Sequence, residues 1–189
     1  MKDWSNYQEN TYNDKVCNLL VEFLDKYNVE RAIDLGCGSG NESVYMVHHG
    51  IHVLSIDRQL NKDYILNRLT EEEKSNVSFL ESSFEDVTLP KTQLVTAFFS
   101  IPFCNPINFD VLWNKIYESL EVNGYFVGQL FGDRDDFKDF PLVNTFTKEE
   151  VQELLKNYTI IKMEEVEYVR ELDNKKWHFF DIIAKKEDK

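Results

Sequence analysis

Ten residues near the start of the chain, Ala32-Ile-Asp-Leu-Gly-Cys-Gly-Ser-Gly-Asn41, restrict its fold more than any other stretch. A short apolar run that ends in an acid and three alternating glycines reads as a buried strand over 31–35 followed by a tight loop. Glycine allows such a turn and lets a ligand approach the backbone closely. Ser39 or Asn41 is placed to cap a helix carrying Val44, Tyr45, Val47 and His48, which Gly50 closes. A second apolar run over 51–56 ends on Asp57. A strand, a glycine loop, a helix and a second strand, in that order, make the repeating unit of a parallel sheet covered by helices.

The rest of the chain continues the alternation. Upstream, Val16, Leu19, Leu20, Phe23, Leu24 and Tyr27 recur every three or four residues, which predicts a helix over 13–28 with Asn28 as its stop. After Asp57 the pattern predicts a helix over 60–69, a strand over 77–80 and a strongly apolar strand over 93–99. A helix over 109–120, ended near Asn123-Gly124, and a strand over 125–131 follow. Thr147 caps a helix over 149–155, with Glu150 at the capping-box position. Two last strands, about 159–168 and 177–184, flank the polar turn Asp173-Asn174-Lys175. With no helix between them, they form an antiparallel hairpin. The expected fold is a single α/β domain over 1–189. It is a doubly wound, three-layer sandwich whose seven-stranded sheet is mostly parallel and ends in the antiparallel C-terminal hairpin.

Composition narrows the partners. The net charge is -13 over 189 residues, a surface that repels phosphate backbones, so nucleic acid is disfavoured as a substrate. No apolar run approaches the ~20 residues that span a bilayer. Met1-Lys-Asp-Trp-Ser-Asn6 lacks the apolar stretch of a signal peptide, and the expected location is the cytoplasm. Cys17, Cys37 and Cys104 lie far apart, without a CxxC pair or a histidine at ligand spacing. Neither a disulfide framework nor a metal site is expected. His48, His49 and His52 flank Gly50, away from the expected site, and read as structural.

An open α/β sheet binds ligands beyond the carboxyl ends of its strands, where strand order reverses. The site is therefore expected after the first, second, fourth and fifth strands. Asp34 stands just before Gly36 at a strand end, where a carboxylate accepts a hydrogen bond from a ligand amine and sits badly beside a diphosphate. S-adenosylmethionine carries an amino-acid end and no phosphate, so Asp34 favours it over a dinucleotide. Asp57, about 20 residues after the glycines, suits two ribose hydroxyls in either case. Gly36, Gly38 and Gly40 give GxGxG, and Asn41 stands where the last dinucleotide glycine is usual.

Over nearly its whole length the chain resembles the Rossmann-like, class I S-adenosylmethionine-dependent methyltransferases. Ile33-Asp-Leu-Gly-Cys-Gly-Ser-Gly40 resembles their first motif and Val53-Leu-Ser-Ile-Asp57 their second. Phe79-Leu-Glu-Ser-Ser-Phe-Glu-Asp86 resembles the third, and Leu120-Glu-Val-Asn-Gly-Tyr-Phe126 the approach to strand five. Gly128-Gln-Leu-Phe-Gly-Asp-Arg-Asp135 and Trp177-His178 are similar to a bacterial subgroup near the tellurite-resistance-type methyltransferases. The resemblance implies S-adenosylmethionine as cofactor and S-adenosylhomocysteine as product. It assigns Asp34, Gly36 and Gly38 to the methionine end and Asp57 to the ribose, with Cys37 and Gly40 also among the cofactor-binding residues. Ser83 stands where the family has an Asp that contacts adenine, and the Phe84 backbone N–H is placed for adenine N1. Arg58 lies along the adenine face or is a solvated helix-start arginine.

On the acceptor side the resemblance points to the end of strand four, Phe99-Ser-Ile-Pro-Phe-Cys-Asn-Pro106. Amino-methylating enzymes carry Asp/Asn-Pro-Pro-aromatic here. Ser100-Ile-Pro-Phe103 lacks the leading residue, so N-methylation of nucleic acid or protein is not assigned. Phe99 packs against the cofactor or the core, and Phe103 lines the acceptor pocket or packs. Cys104 binds a soft metalloid or is incidental. Arg134 binds an anionic acceptor group or pairs with Asp133 or Asp135. His178 is a general base or is packed beside Trp177. Trp4, Tyr7 and Tyr12, in 1–13, form a lid over the cofactor or pack on the sheet edge. A core of this size leaves little room for a recognition domain, which favours a small-molecule acceptor. Two rivals stay open: a nicotinamide-dependent oxidoreductase, and a catalytically silent protein that binds S-adenosylmethionine.

Overall fold

A computed structural model describes residues 5–187, with only the backbone of Ser5 and Tyr7. Its seven strands are β1 (Arg31–Leu35), β2 (His52–Asp57), β3 (Val77–Glu81), β4 (Thr92–Ala97), β5 (Leu120–Phe131), β6 (Tyr158–Arg170) and β7 (Lys175–Lys186). Its helices are α1 (Ser5–Thr11), α2 (Asn18–Leu24), α3 (Asn41–His48), α4 (Lys62–Leu66), α5 (Phe109–Ser119) and α6 (Lys148–Leu154). The sheet runs β3-β2-β1-β4-β5-β7-β6. Strands β3 to β5 are mutually parallel, and β7 lies antiparallel to both β5 and β6. The expected fold class is therefore the one found, with β7 between β5 and β6 and β6 at the sheet edge.

Burial explains why the two helical layers form. α2, α3 and α4 cover one face of the sheet through Leu20, Phe23, Met46, Val47 and Ile65. α5 and α6 cover the other through Leu112, Trp113, Ile116 and Val151. Each such side chain contributes about 1.5–3 kcal/mol on leaving water. Thr147 caps α6 through a complete capping box with Glu150, as its spacing predicts. Order reverses between β1 and β4, so the chain exits these two strands in opposite directions and opens a crevice above them.

Several boundaries differ from the sequence pattern. The helix expected over 13–28 is reduced to α2, because Val16 and Tyr27 pack on the same apolar cluster without helical backbone. α4 is shorter than 60–69 for the same reason, with Leu60 and Leu69 packed outside it. Asn123 adopts φ 66° within β5, so Asn123-Gly124 is an irregularity inside a longer strand rather than the boundary before it. β4 stops at Ala97 instead of 99, because Phe99 turns to φ 49° and redirects the chain across the end of β1.

Candidate functional site

The crevice at the switch in strand order is floored by the loop after β1. Gly36 and Cys37 N–H groups both donate to the Ile56 carbonyl, at 2.7 and 3.0 Å, which folds the loop over the end of β2. Gly36 has φ 80°, and a Cβ there would stand 2.4 Å from the Ser100 Cβ and 3.2 Å from the Phe84 ring. Gly38 has φ 53°, but a Cβ there would meet nothing within 4 Å. One glycine is thus required by packing and conformation, the other by conformation alone, and it leaves an open face for a ligand. Gly40 precedes α3, with Ile65 packed against it. Cys37 is buried in the loop, and burial raises its thiol pKa.

Asp57 links the loop to β2. Its Oδ2 accepts the Gly38 N–H at 2.9 Å and its Oδ1 the Gln59 N–H at 3.0 Å. Burial raises its pKa, against the pull of backbone N–H groups of Gln59, Gly38 and Arg58 and the Arg58 charge. A carboxylate oxygen carrying one hydrogen bond keeps a lone pair for another donor. Asp57 therefore suits a diol beside a loop that suits a small backbone-bound group. That donor set fits S-adenosylmethionine.

Asp34 differs from its expected role. It is 2% exposed, and its oxygens accept from Ser43 Oγ at 2.6 Å and Thr96 Oγ1 at 3.0 Å. Ser43 also bonds Ser55 at 2.7 Å. The carboxyl ties β1, α3, β2 and β4 together beneath the loop instead of facing a ligand amine. Burial, with the nearby Glu42 charge, lifts its pKa to about 7. The sequence singled out neither Ser43 nor Thr96, since a lone hydroxyl carries no pattern.

On the adenine side expected for Ser83, its hydroxyl closes a local turn with Asp86, donating at 2.8 Å and accepting the Asp86 N–H at 3.2 Å. The Phe84 ring lies beside Gly36. Arg58 is exposed. The N-terminal segment reaches both ends of the cradle. Gln8 is buried and donates to the Gln59 carbonyl at 2.7 Å. At the other end the Thr11 carbonyl accepts from Ser39 and from Asn41 Nδ2. Arg68 bonds the Ser39 carbonyl and Asn41 Oδ1, and its guanidinium lies 4.7 Å above the Tyr12 ring. Trp4 and the Tyr7 side chain lie outside the described residues. The attachment is polar through Gln8, Thr11 and Arg68, and aromatic through Tyr12, which also packs on Tyr64 at 4.9 Å.

On the far side, Phe99 stacks on Phe131 at 5.3 Å, and Phe103 meets Phe131 edge-on at 5.7 Å. Ser100 Oγ donates to the Leu35 carbonyl at 2.6 Å, which fixes the loop after β4 over β1. Asn144 ties the 132–147 loop to the Pro102 and Cys104 carbonyls. Cys104 is fully buried, next to Glu85 rather than near another thiol. Of the two readings of His178 the structure shows the packed one: it is fully buried and both ring nitrogens are bonded. Nδ1 accepts the Arg134 N–H at 3.0 Å, so the ring proton sits on Nε2 and donates to Glu165 at 3.1 Å. Of the two readings of Arg134 the structure shows the ion pair with Asp133, at 3.5 Å, and adds pairs with Glu165 and Glu167 on β6.

The family model described as "Tellurite resistance protein TehB" matches residues 3–177. The chain belongs to the TehB family. Its motifs and fold are similar to those of the class I S-adenosylmethionine-dependent methyltransferases near the tellurite-resistance type. A curated TehB relative, the probable S-adenosyl-L-methionine-dependent methyltransferase of Haemophilus influenzae (strain 10810), is 26% identical over 140 residues, 71% of this chain and 48% of that one. A carboxy-S-adenosyl-L-methionine synthase of Helicobacter pylori (strain P12) is 28% identical over 119 residues, 60% of this chain and 48% of that one. The chain spans about half the length of the curated relatives it matches. Among solved structures, TehB from Haemophilus influenzae superposes with TM-score 0.80 at 22% identity, covering 96% of this chain and 66% of that one. The Burkholderia thailandensis 1,6-didemethyltoxoflavin-N1-methyltransferase, solved with 1,6-didemethyltoxoflavin and S-adenosylhomocysteine, gives 0.75 at 16%, covering 98% and 84%. These likenesses show the shared fold over 96% and 98% of this chain. No helix among the described residues is long and apolar enough to cross a membrane.

Proposed function

We infer that the chain transfers a methyl group from S-adenosylmethionine to a small-molecule acceptor. The observation that carries this reading is the junction of Gly38 and Asp57, where an open glycine face and a carboxylate with spare acceptor capacity meet at the switch point. The family match and neighbours named as methyltransferases support it. Gly36, Cys37, Gly38 and Gly40 hold the amino-acid end through backbone, and Asp57 holds the ribose. Phe84, Ser83 and Arg58 border the adenine. Phe99 separates cofactor from acceptor, and Phe103 flanks the acceptor. The N-terminal segment, pinned at Gln59 and at Ser39–Asn41, serves as the lid.

The bound cofactor supplies a methyl already activated on a sulfonium. What the chain adds is position and exclusion of water. Asp57 and the loop fix one end, the Ser100–Leu35 bond fixes the wall opposite, and α1 covers the cradle. The loop's backbone contacts, Asp57 and the family's named relatives favour this reading over a nicotinamide enzyme. A cytoplasmic site of action belongs to the proposal and rests on three widely spaced cysteines that form no disulfide framework. Thermal-shift titration tests it: S-adenosylhomocysteine raises the melting temperature and NADH does not. Stabilisation by NADH alone overturns it. Binding with no methyl transfer across a metabolite screen turns it into the silent-binder reading.

A further inference from the structure

The rim beyond β4, β5 and β7 is built of rings. Besides stacking on Phe131, Phe99 meets Phe179 edge-on at 5.0 Å and lies 5.3 Å from Trp177. Phe137 closes on Phe131 at 4.8 Å. Strand alternation sets this up: Trp177 and Phe179 share one face of β7, while His178 and Phe180 share the other. Phe99 holds φ 49°, a conformation bulky side chains rarely adopt. Strain of this kind clusters at ligand clamps and active sites.

Two features of the rim go beyond ring packing. Trp177 Nε1 is buried and has no hydrogen-bond partner among the described residues, although a buried indole N–H usually finds one. Lys175 Nζ lies 3.6 Å from the Trp177 ring centroid and 3.7 Å from that of Phe137, a cation held between two rings. Its ammonium makes no ion pair among the described residues. The charges acting on it are Asp135, Arg170, Asp136 and Asp173. The three carboxylates are engaged elsewhere: Asp135 with the Phe137 and His178 N–H groups, Asp136 with the Lys176 N–H, and Asp173 with Arg170.

We propose that this rim takes a planar, weakly acidic ring compound as methyl acceptor, its ionised oxygen or nitrogen held by the Trp177 N–H and the Lys175 ammonium. The proposal rests on the methyltransferase reading above. Ring walls match a planar guest, and a donor beside a cation selects an electron-rich edge. A cationic guest meets the like charge of Lys175 and leaves the indole unpaired. An ionised acceptor also needs no general base, which accords with His178 being committed to Arg134 and Glu165. A nearby positive charge favours the anion and so lowers the acceptor's own pKa. The acceptor's proton leaves to solvent on ionisation. The anion's lone pair then forms the new bond to the methyl carbon, and the carbon–sulfur bond breaks with its electron pair kept by sulfur.

The test uses the full chain saturated with S-adenosylhomocysteine and umbelliferone as probe, a planar phenol whose neutral and ionised forms are excited at different wavelengths. Umbelliferone is expected to bind with a larger ionised fraction than the free dye shows at the same pH. Umbelliferone methyl ether, which cannot ionise, binds about tenfold more weakly, in line with the loss of a hydrogen bond to a charged group. Trp177→Phe keeps the ring and weakens umbelliferone binding about fivefold, and Lys175→Met abolishes the excess ionised fraction. Benzyltrimethylammonium does not compete. Absence of umbelliferone binding, equal binding of the methyl ether, competition by the ammonium, or no response to both substitutions overturns the proposal. If S-adenosylhomocysteine itself fails to stabilise the chain, the methyltransferase reading falls with it. If S-adenosylhomocysteine binds and umbelliferone does not, only the acceptor proposal falls.

Discussion

On the β1–β2 side of the rim a ligand meets the open backbone face of Gly38 and one carboxylate, while on the β5–β7 side it meets rings backed by buried charge. The first side is held by bonds between the ends of two adjacent parallel strands, the Gly36 and Cys37 N–H groups to Ile56 and the Gly38 N–H to Asp57. The second is assembled from side chains of three segments, with His178 on β7 bonded to the loop after β5 at Arg134 and to β6 at Glu165. A cradle of backbone tolerates little change of residue, because geometry itself is the binding element. A wall of side chains tolerates change in shape but depends on the clamp behind it.

The largest effect is expected at the cradle. Gly36→Ala combines a left-handed φ with a 2.4 Å contact to Ser100 and should weaken S-adenosylhomocysteine binding about a hundredfold by calorimetric titration. Gly38→Ala carries the strain without the contact and should cost only about tenfold. Equal losses at the two positions would break the distinction between packing and conformation.

His178→Ala should act on the other side alone. It leaves a cavity against Gly132 and strips partners from the Arg134 N–H and Glu165. Urea denaturation should show a loss of about 3 kcal/mol, with S-adenosylhomocysteine affinity unchanged. A parallel fall in affinity would mean that the two sides are one mechanical unit.

Asp34→Asn sharpens the comparison through pH. The native carboxyl is raised from its ordinary 3.8 to about 7. The folded state therefore holds the proton longer than the unfolded state, and wild-type stability falls as pH rises through that window. The substitution removes this contribution, so its stability relative to wild type should climb from pH 3.8 to about 7 and stay level above. The slope is at most about 1.4 kcal/mol per pH unit. A pH-independent difference would deny that Asp34 is buried as an acid. The smallest effect belongs to Arg134→Met. Its pairs with Glu165 and Glu167 are solvent-exposed and screened, so the denaturation midpoint should stay within error of wild type. A substantial drop would place the clamp in the side chain rather than in the Arg134 backbone N–H.

The same contrast explains what was legible in the sequence. The alternation of apolar runs and glycines gave the sheet, its helices and the Gly36–Asp57 cradle, since these depend on local periodicity and turn chemistry. Hydroxyls that hold Asp34, the Arg68 bridge to Ser39, and Lys175 between Phe137 and Trp177 depend on which strands become neighbours. No spacing along the chain encodes that. Asp34 is instructive: its position at a strand end pointed to a ligand, but the direction of its side chain was set by Ser43 on α3 and Thr96 on β4. The strand expected to reach 99 stops at Ala97, because an apolar run carries no mark of where its backbone turns left-handed, here at Phe99.

The placement of β7 between β5 and β6 has a consequence for how the molecule is made. β7 is the last strand in sequence, yet it fills an interior slot of the sheet. Until it emerges from the ribosome, the N–H and C=O groups of Tyr125–Phe131 that later face it form an open edge. During synthesis the cradle strands can pair early, while the ring-lined rim waits for the final strand. A nascent chain stalled before Lys175 exposes a sticky β5 edge and is a natural client for a chaperone.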